Sequence, residues 1–359
     1  MSKIYQIYGQ DAHDMTQKLL EASDAARLVP PGGSVALKPN LVIAGTPESG
    51  STTHAGVLSG CISYFRDHGV KDISVIEGSW VGDETMRAMR RAGYDKVCEA
   101  YGVPFYDLKK DRTRPVRTAV GQIDVCCRAL DADFLIDLPV LKGHCQTAMT
   151  CALKNCKGCL PDREKRRFHT EGLMRPIAAL ASALKPDLTI ADSICGDLDF
   201  EEGGNPVVMN RIACGTDSVL VDSYIAATMG YLPDDIKYIT IADKIGVGSK
   251  DTEHANIIEL NHDTTKAKSS ASRRIQNLEK YVCERDACSA CYANLIHALA
   301  RLEDTGRLSK FKASTFAIGQ GFREKTSENY IGIGTCTKNF KNYIPGCPAK
   351  TGDILKKIE

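Results

Sequence analysis

The chain has 359 residues, 43% hydrophobic and 25% charged, enough apolar material to bury a sizeable core and to exclude a disordered protein. Its 46 basic and 45 acidic residues give a net charge of +1, which removes any global electrostatic case for nucleic acid or an anionic membrane surface. No apolar run approaches the ~20 residues of a membrane span, and Met1 to Tyr8 lacks the tripartite form of a signal peptide, so a soluble cytoplasmic protein is expected.

In chain order, Ser34 to Leu37, Ile73 to Ile76, Phe134 to Leu138 and Leu188 to Ala191 are short apolar runs that read as buried strands. Between and around them, Met15 to Leu28, Ala55 to His68, Glu84 to Ala92, Leu173 to Leu184 and Ser218 to Met229 space their apolar residues by three and four, the period of helices. Alternation of this kind predicts an α/β fold with a largely parallel sheet covered on both faces. Arg117 to Val125, interrupted by Gly121, reads as a β-hairpin. The polar stretch from Asn261 to Ser272 reads as a linker, which divides the chain into an α/β domain over residues 1–265 and a smaller C-terminal α/β domain over residues 266–359. In the second part, Arg273 to Val282 predicts a helix, Thr315 to Ile318 and Ile331 to Ile333 predict strands, and a last helix starts at Lys350.

Ligands of open α/β sheets bind at the carboxyl ends of the strands, and four strand exits here carry polar groups. Lys38 and Asn40 follow one, Glu77 a second, Lys142 and His144 a third and Asp192 a fourth. With Lys154, Asn155 and His169 these predict one rim: Lys38, Lys142 and Lys154 to hold a small anion, Asn40 and Asn155 to orient it, and His144 or His169 to move a proton near neutral pH. His144, Lys142 and Glu77 are the expected catalytic groups. The Glu201 to Asn205 turn is expected to place a carboxylate over the same rim, and Asp217 is expected to cap the helix from Ser218. No glycine-rich nucleotide-binding motif is present.

Fifteen cysteines in a reducing compartment argue against a disulfide framework. Cys61, Cys98, Cys126, Cys127, Cys195 and Cys214 are isolated and read as small buried hydrophobes. Cys283, Cys288 and Cys291 share the C-x4-C-x2-C spacing of plant-type ferredoxins, and Cys336 and Cys347 come later within glycine-bearing segments, so five thiols compete for the four places of a [4Fe-4S] cluster. Cys151, Cys156 and Cys159 repeat that spacing near Cys145, which leaves a second cluster open. A structural zinc site is the alternative for the C-terminal set.

Two resemblances add to this reading. The Cys288-x-x-Cys291 pair, Gly334-Thr335-Cys336 and Pro345-Gly346-Cys347-Pro348 resemble the proximal-cluster motifs of nickel-iron hydrogenase small subunits and of the corresponding complex I subunit, which implies Cys288, Cys291, Cys336 and Cys347 as the ligands. Ala36-Leu-Lys-Pro-Asn-Leu41, Thr53-His54, Val75-Ile-Glu-Gly78, Leu138-Pro-Val-Leu-Lys-Gly-His144, Ala152-Leu-Lys-Asn155, and Asp217 to Asp222 before Met229-Gly230 resemble the domain-of-unknown-function 362 family over roughly residues 30–235. That resemblance implies an α/β domain often joined to ferredoxin-like iron-sulfur modules. Lys38, Asn40, His54, Lys154, Asn155, His169 and Asp192 are the expected substrate-binding residues. The expected function is an iron-sulfur oxidoreductase or electron-transfer protein acting on a small anionic molecule, with a ferredoxin-like redox partner and a homo-oligomer left open. A non-redox isomerase or racemase with a structural cluster, and a cluster carrier, are the alternatives.

Overall fold

A computed structural model describes residues 2–268, 270 and 272–358. Its strands are β1 (Lys3–Tyr8), β2 (Val35–Pro39), β3 (Ile73–Glu77), β4 (Phe105–Asp107), β5 (Thr113–Thr118), β6 (Gly121–Cys126), β7 (Phe134–Leu138), β8 (Val140–His144), β9 (Ala148–Thr150), β10 (Leu188–Asp197), β11 (Pro206–Gly215) and β12 (Asn256–Glu259). The later ones are β13 (Val282–Glu284), β14 (Phe316–Ile318), β15 (Ile331–Ile333) and β16 (Asn342–Ile344).

Ten strands form one sheet in the order β12-β1-β11-β10-β7-β2-β3-β4, with β8 and β9 attached beside β10. The pairings β10-β7, β7-β2, β2-β3 and β3-β4 are parallel, while β11 runs antiparallel to both β1 and β10. Side chains on alternate positions of a strand face opposite sides. Val35 and Leu37 accordingly join one apolar layer, with helices Ala12–Ala22 and Ala55–Asp67, while Ala36 and Leu135 join the other, with helices Met174–Ala183 and Ser218–Thr228. The doubly covered, largely parallel α/β sheet expected from the alternation of apolar runs is what the chain adopts.

The helix expected over Met15 to Leu28 ends at Ala22 and resumes as a single 3-10 turn from Ala25. Asp24 between them sits in the left-handed region at φ 53°, which an α-helix cannot pass through. The expected helix over Arg273 to Val282 stops at Glu279, and Val282 starts β13 instead. The predicted linker includes Ser269 and Ala271, which lie outside the described residues. Its earlier part is stitched down: Lys266 bridges to Cys288, and the Ala267 N–H donates to the Ala287 carbonyl at 2.9 Å.

Strands β13 to β16, three residues each, form a second sheet that is parallel throughout. Helix Ser289–Asp304 is buried along almost its whole length, and its Leu295, Ile296, Leu299 and Leu302 share an apolar cluster with Met209, Val219 and Ile225 of the first part. The two sheets therefore lean on a common core. No helix among the described residues is long and apolar enough to cross a membrane.

Candidate functional site

At the carboxyl ends of β2, β3 and β8 lies a cavity of about 240 Å³. Asn40, Glu77, His144, Lys154, Asn155 and His169 line it, so strand exits far apart in the sequence do meet. Lys157, Lys165, Glu201, Glu202 and the half-exposed Trp80 complete the wall.

Beneath the floor sits a buried charge cluster. Lys38, adjacent in register to Asp137, pairs with the Glu77 carboxylate and donates to the Pro39 carbonyl at 2.8 Å. Gly158 permits this, since a Cβ there would stand 2.3 Å from Glu77 Oε1 and 2.7 Å from Lys38 Nζ. Burial alone would lower the Lys38 ammonium, but Glu77, Cys159 and Asp137 hold it above its ordinary value. Burial raises Glu77 by more than Lys38 and Lys165 offset. Asp137 is pushed up to about 8 by burial, against Lys38 and the hydrogen bond from Asn155 Nδ2 at 2.7 Å. Burial thus favours the protonated form of this carboxyl near neutral pH.

Lys142 is fully buried behind the wall, its ammonium donating to Asn40 Oδ1 at 3.0 Å, the Ser51 carbonyl at 2.7 Å and the Glu201 carbonyl at 2.9 Å. All three of its protons are spoken for, and burial lowers it to about 7. Expected as a catalytic group, it does not line the cavity. His144 is fixed too: its Nδ1 accepts the N–H groups of Gln146 and Thr147 at 3.1 and 3.2 Å, which leaves the ring proton on Nε2, facing Glu201 Oε2 at 3.2 Å. Burial lowers its pKa despite Glu201. Glu201 also binds Lys154 at 2.6 Å, and its own pKa falls well below the usual range because Lys154, His144 and Lys142 overcome the cost of burial.

The loop carrying Glu201 is built by Asp197, whose Oδ1 accepts the N–H groups of Asp199 and Phe200 at 2.9 and 2.7 Å. Arg274 anchors it through Asp199 at 2.6 Å.

Lys157 escapes a reading of the sequence alone. It lines the cavity with no carboxylate partner among the described residues, lies 3.2 Å from His169 Nε2, and is lowered to about 7 by burial and by Lys154, against Glu201. The Lys-Gly between Cys156 and Cys159 is its only signal, overshadowed there by the thiols. Asp137 and Lys165 escape as well, because each lies inside an element that reads as ordinary apolar or amphipathic pattern.

His54 and Asp192 do not line the cavity. Asp192 accepts the His54 N–H at 2.7 Å and pairs with its Nδ1 at 2.8 Å, which secures the start of helix Ala55–Asp67. Asp192 overrides burial and raises His54. Asp217 caps helix Ser218–Thr228 as expected, and Asp222 accepts the Ala152 and Leu153 N–H groups at 2.7 and 3.1 Å. Cys151, Cys156 and Cys159 are buried in the apolar core, while Cys145 is exposed at the mouth of the cavity.

The C-terminal sheet assembles a second pocket. Its four parallel strands end together, and the segments leaving them line the pocket: Cys288 and Cys291 after β13, Gly319 and Gln320 after β14, Gly334 and Cys336 after β15, Gly346 and Cys347 after β16. Gly319, Gly334 and Gly346 turn the chain there at φ 119°, 85° and 130°. A Cβ on Gly334 would lie 3.3 Å from Cys291 Sγ. Asp263 holds the start of helix Ser289–Asp304 at the pocket by accepting the Ala290 N–H at 2.7 Å, and Gln320 Nε2 donates to Cys288 Sγ at 3.4 Å.

Burial raises Cys291 to about 12, with Cys288, Cys347 and Cys336 adding to it. Cys283 is outside this pocket, packed beside Phe322 and Phe340. The thiols stand around the wall: among the described residues no three His, Cys, Asp or Glu side chains converge closely enough for a single metal ion.

The chain is similar to three known proteins or families. "Thylakoid-associated protein sll1697" from Synechocystis sp. (strain ATCC 27184 / PCC 6803 / Kazusa) is 26% identical over 235 residues, 61% of this chain and 70% of that protein. The lactate racemase apoprotein from Thermoanaerobacterium thermosaccharolyticum superposes with a TM-score of 0.43 at 12% identity, covering 61% of this chain and 55% of the racemase chain. Residues 35–227, more than half of the chain and the stretch that holds Lys38, Glu77, His144, Lys154, Lys157 and Glu201, match the family described as "Domain of unknown function (DUF362)". The chain belongs to that family.

Proposed function

We propose that Cys288, Cys291, Cys336 and Cys347 hold a [4Fe-4S] cluster, and that the protein is an iron-sulfur oxidoreductase or electron-transfer protein whose basic cavity takes a small anion. The observation behind this is the meeting of four thiols, from segments far apart in the sequence, at the shared end of four parallel strands. An all-sulfur donor set suits iron-sulfur or zinc chemistry. Thiols spread around a pocket, with glycine where a Cβ would press on Cys291, favour a body of several metal atoms over one tetrahedral ion. Bound there, the cluster supplies one-electron redox chemistry.

In the cavity, Lys157 is the cation best placed to meet an anion, since Lys154 is committed to Glu201 and Lys142 to three oxygens. With its pKa near 7 and His169 at 3.2 Å, it can also accept or release a proton at the anion. His144, locked as a neutral donor, positions Glu201. Arg274, from the cysteine-bearing half, holds the Glu201 loop, which gives the two sites a mechanical link.

Anaerobically purified protein should show visible absorbance that dithionite bleaches and an oxidant restores. Trp80, the sole tryptophan, stands at the cavity lip, so its fluorescence should respond to added inorganic phosphate in the parent protein and not in Lys157→Met. Iron-containing protein whose spectrum dithionite leaves unchanged would select the non-redox isomerase reading, which the Lys157–His169 pair favours as proton-transfer chemistry.

A further inference from the structure

A cleft of about 610 Å³ opens between the β1-β11-β12 edge of the large sheet and the C-terminal part. It is separate from the basic cavity, and Gly346, Cys347 and Pro348 form a wall common to it and to the thiol pocket. Its volume falls in the range of small-molecule sites.

The chemistry of the cleft centres on Arg211, which lies on β11 opposite Tyr8 of β1. The residue is 2% exposed. Its Nη1 reaches Asn294 Oδ1 at 3.3 Å, its Nη2 finds only the Met209 sulfur at 3.6 Å, and its Nε has no partner among the described residues. Arginine cannot shed its proton, and an ionised group buried without a carboxylate is costly. Neither nearby carboxylate pairs with it: Asp263 is turned to the Ala290 N–H at 2.7 Å, and Glu259 to Gln6 Nε2 at 3.2 Å and the Tyr8 hydroxyl at 3.3 Å. His297, one turn along the helix from Asn294, is buried with both ring nitrogens unpartnered among the described residues, so the guanidinium meets a neutral imidazole on that side.

We infer that this cleft binds a planar organic monocarboxylate, its carboxylate on Arg211 and its body between Tyr8, Tyr224 and the Cys347–Pro348 wall. Two aromatic side chains and Ile257 favour a flat apolar body. Besides Arg211 the lining carries one cation, Lys350, against the acidic Glu259 and Asp353, a balance that disfavours a second negative charge. Sharing a wall with a proposed cluster ligand, the site is placed for the small-molecule redox partner of that centre. This role rests on the cluster proposal, whereas binding itself does not.

Titration calorimetry of the full chain with sodium benzoate, on iron-loaded and iron-free preparations, tests the inference. Benzoate should bind the parent protein and bind at least tenfold more weakly to Arg211→Met. Thr252→Trp, which fills the cleft from another wall and leaves Arg211 in place, should weaken binding by a similar factor and guards against a folding defect in the first variant. Unchanged affinity in both variants, no benzoate binding to the folded parent protein, or displacement of bound benzoate by inorganic phosphate would overturn it. Benzoate binding to protein that never takes up iron would leave this site standing and remove the cluster; iron uptake without benzoate binding would do the reverse.

Discussion

At the scale of single residues, the floor of the basic cavity stores its protons in unusual places. Asp137 is fully buried and held at about 8, far above an ordinary carboxyl near 3.9. Between roughly pH 4 and 8 the folded state therefore keeps a proton that the unfolded state has lost. Stability from this group is complete below about pH 4, falls by up to about 1.4 kcal/mol per pH unit as pH rises, and is gone above about 8. Asp137→Asn mimics the protonated acid, still accepts from Asn155 and removes that slope. Urea unfolding at pH 5 and pH 8 should show the parent protein losing clearly more stability between the two than the variant; equal losses would show that Asp137 is ionised in the fold. The same residue shows what the sequence withheld. Phe134 to Leu138 reads as a buried strand and is one, but its Asp137 acquires meaning only beside Lys38, across a parallel pairing between strands distant in the chain.

At the scale of elements, the thiol pocket depends on four strands of three residues and on the glycines that end three of them. Runs this short carry no usable period, so β13 and β16 were illegible, whereas Ile331 to Ile333 and Thr315 to Ile318 showed through their apolar residues. The cysteines were legible for a different reason: Cys-x-x-Cys, Gly-x-Cys and Pro-Gly-Cys-Pro are local signals that need no knowledge of the fold. Gly334 joins the two kinds of information. Alanine there must adopt φ 85°, at a cost of roughly 1–2 kcal/mol, and must press a methyl group 3.3 Å from Cys291 Sγ. Gly334→Ala should lower the melting temperature by a few degrees and iron content by at least half; full iron with unaltered stability would mean that the pocket does not close around Cys291.

At the scale of the whole molecule, the boundary near residue 265 marks a change in sheet without a break in the core. Leu295, Ile296, Leu299 and Leu302 are each worth about 1.5–3 kcal/mol of burial, together on the order of the entire stability of a typical domain. A fragment ending at residue 265 should accordingly show no cooperative thermal transition by circular dichroism. A sharp melt resembling that of the full chain would establish two independently folding halves. The large sheet was readable from alternating apolar runs, because buried parallel strands write themselves as continuous hydrophobic stretches. The antiparallel excursion through β11, which brings Arg211 and Met209 under helix Ser289–Asp304, left no such mark.

Whether four thiols gathered by the small sheet share one inorganic body is decided by metal analysis. Iron and acid-labile sulfide should be measured on anaerobically reconstituted protein alongside Cys336→Ser, Cys347→Ser and Cys283→Ser. About four of each per chain are expected in the parent protein and in Cys283→Ser, with a loss of most of both in the other two variants. Stoichiometric zinc, or iron that survives the loss of Cys336 and Cys347, would contradict a cluster at this pocket.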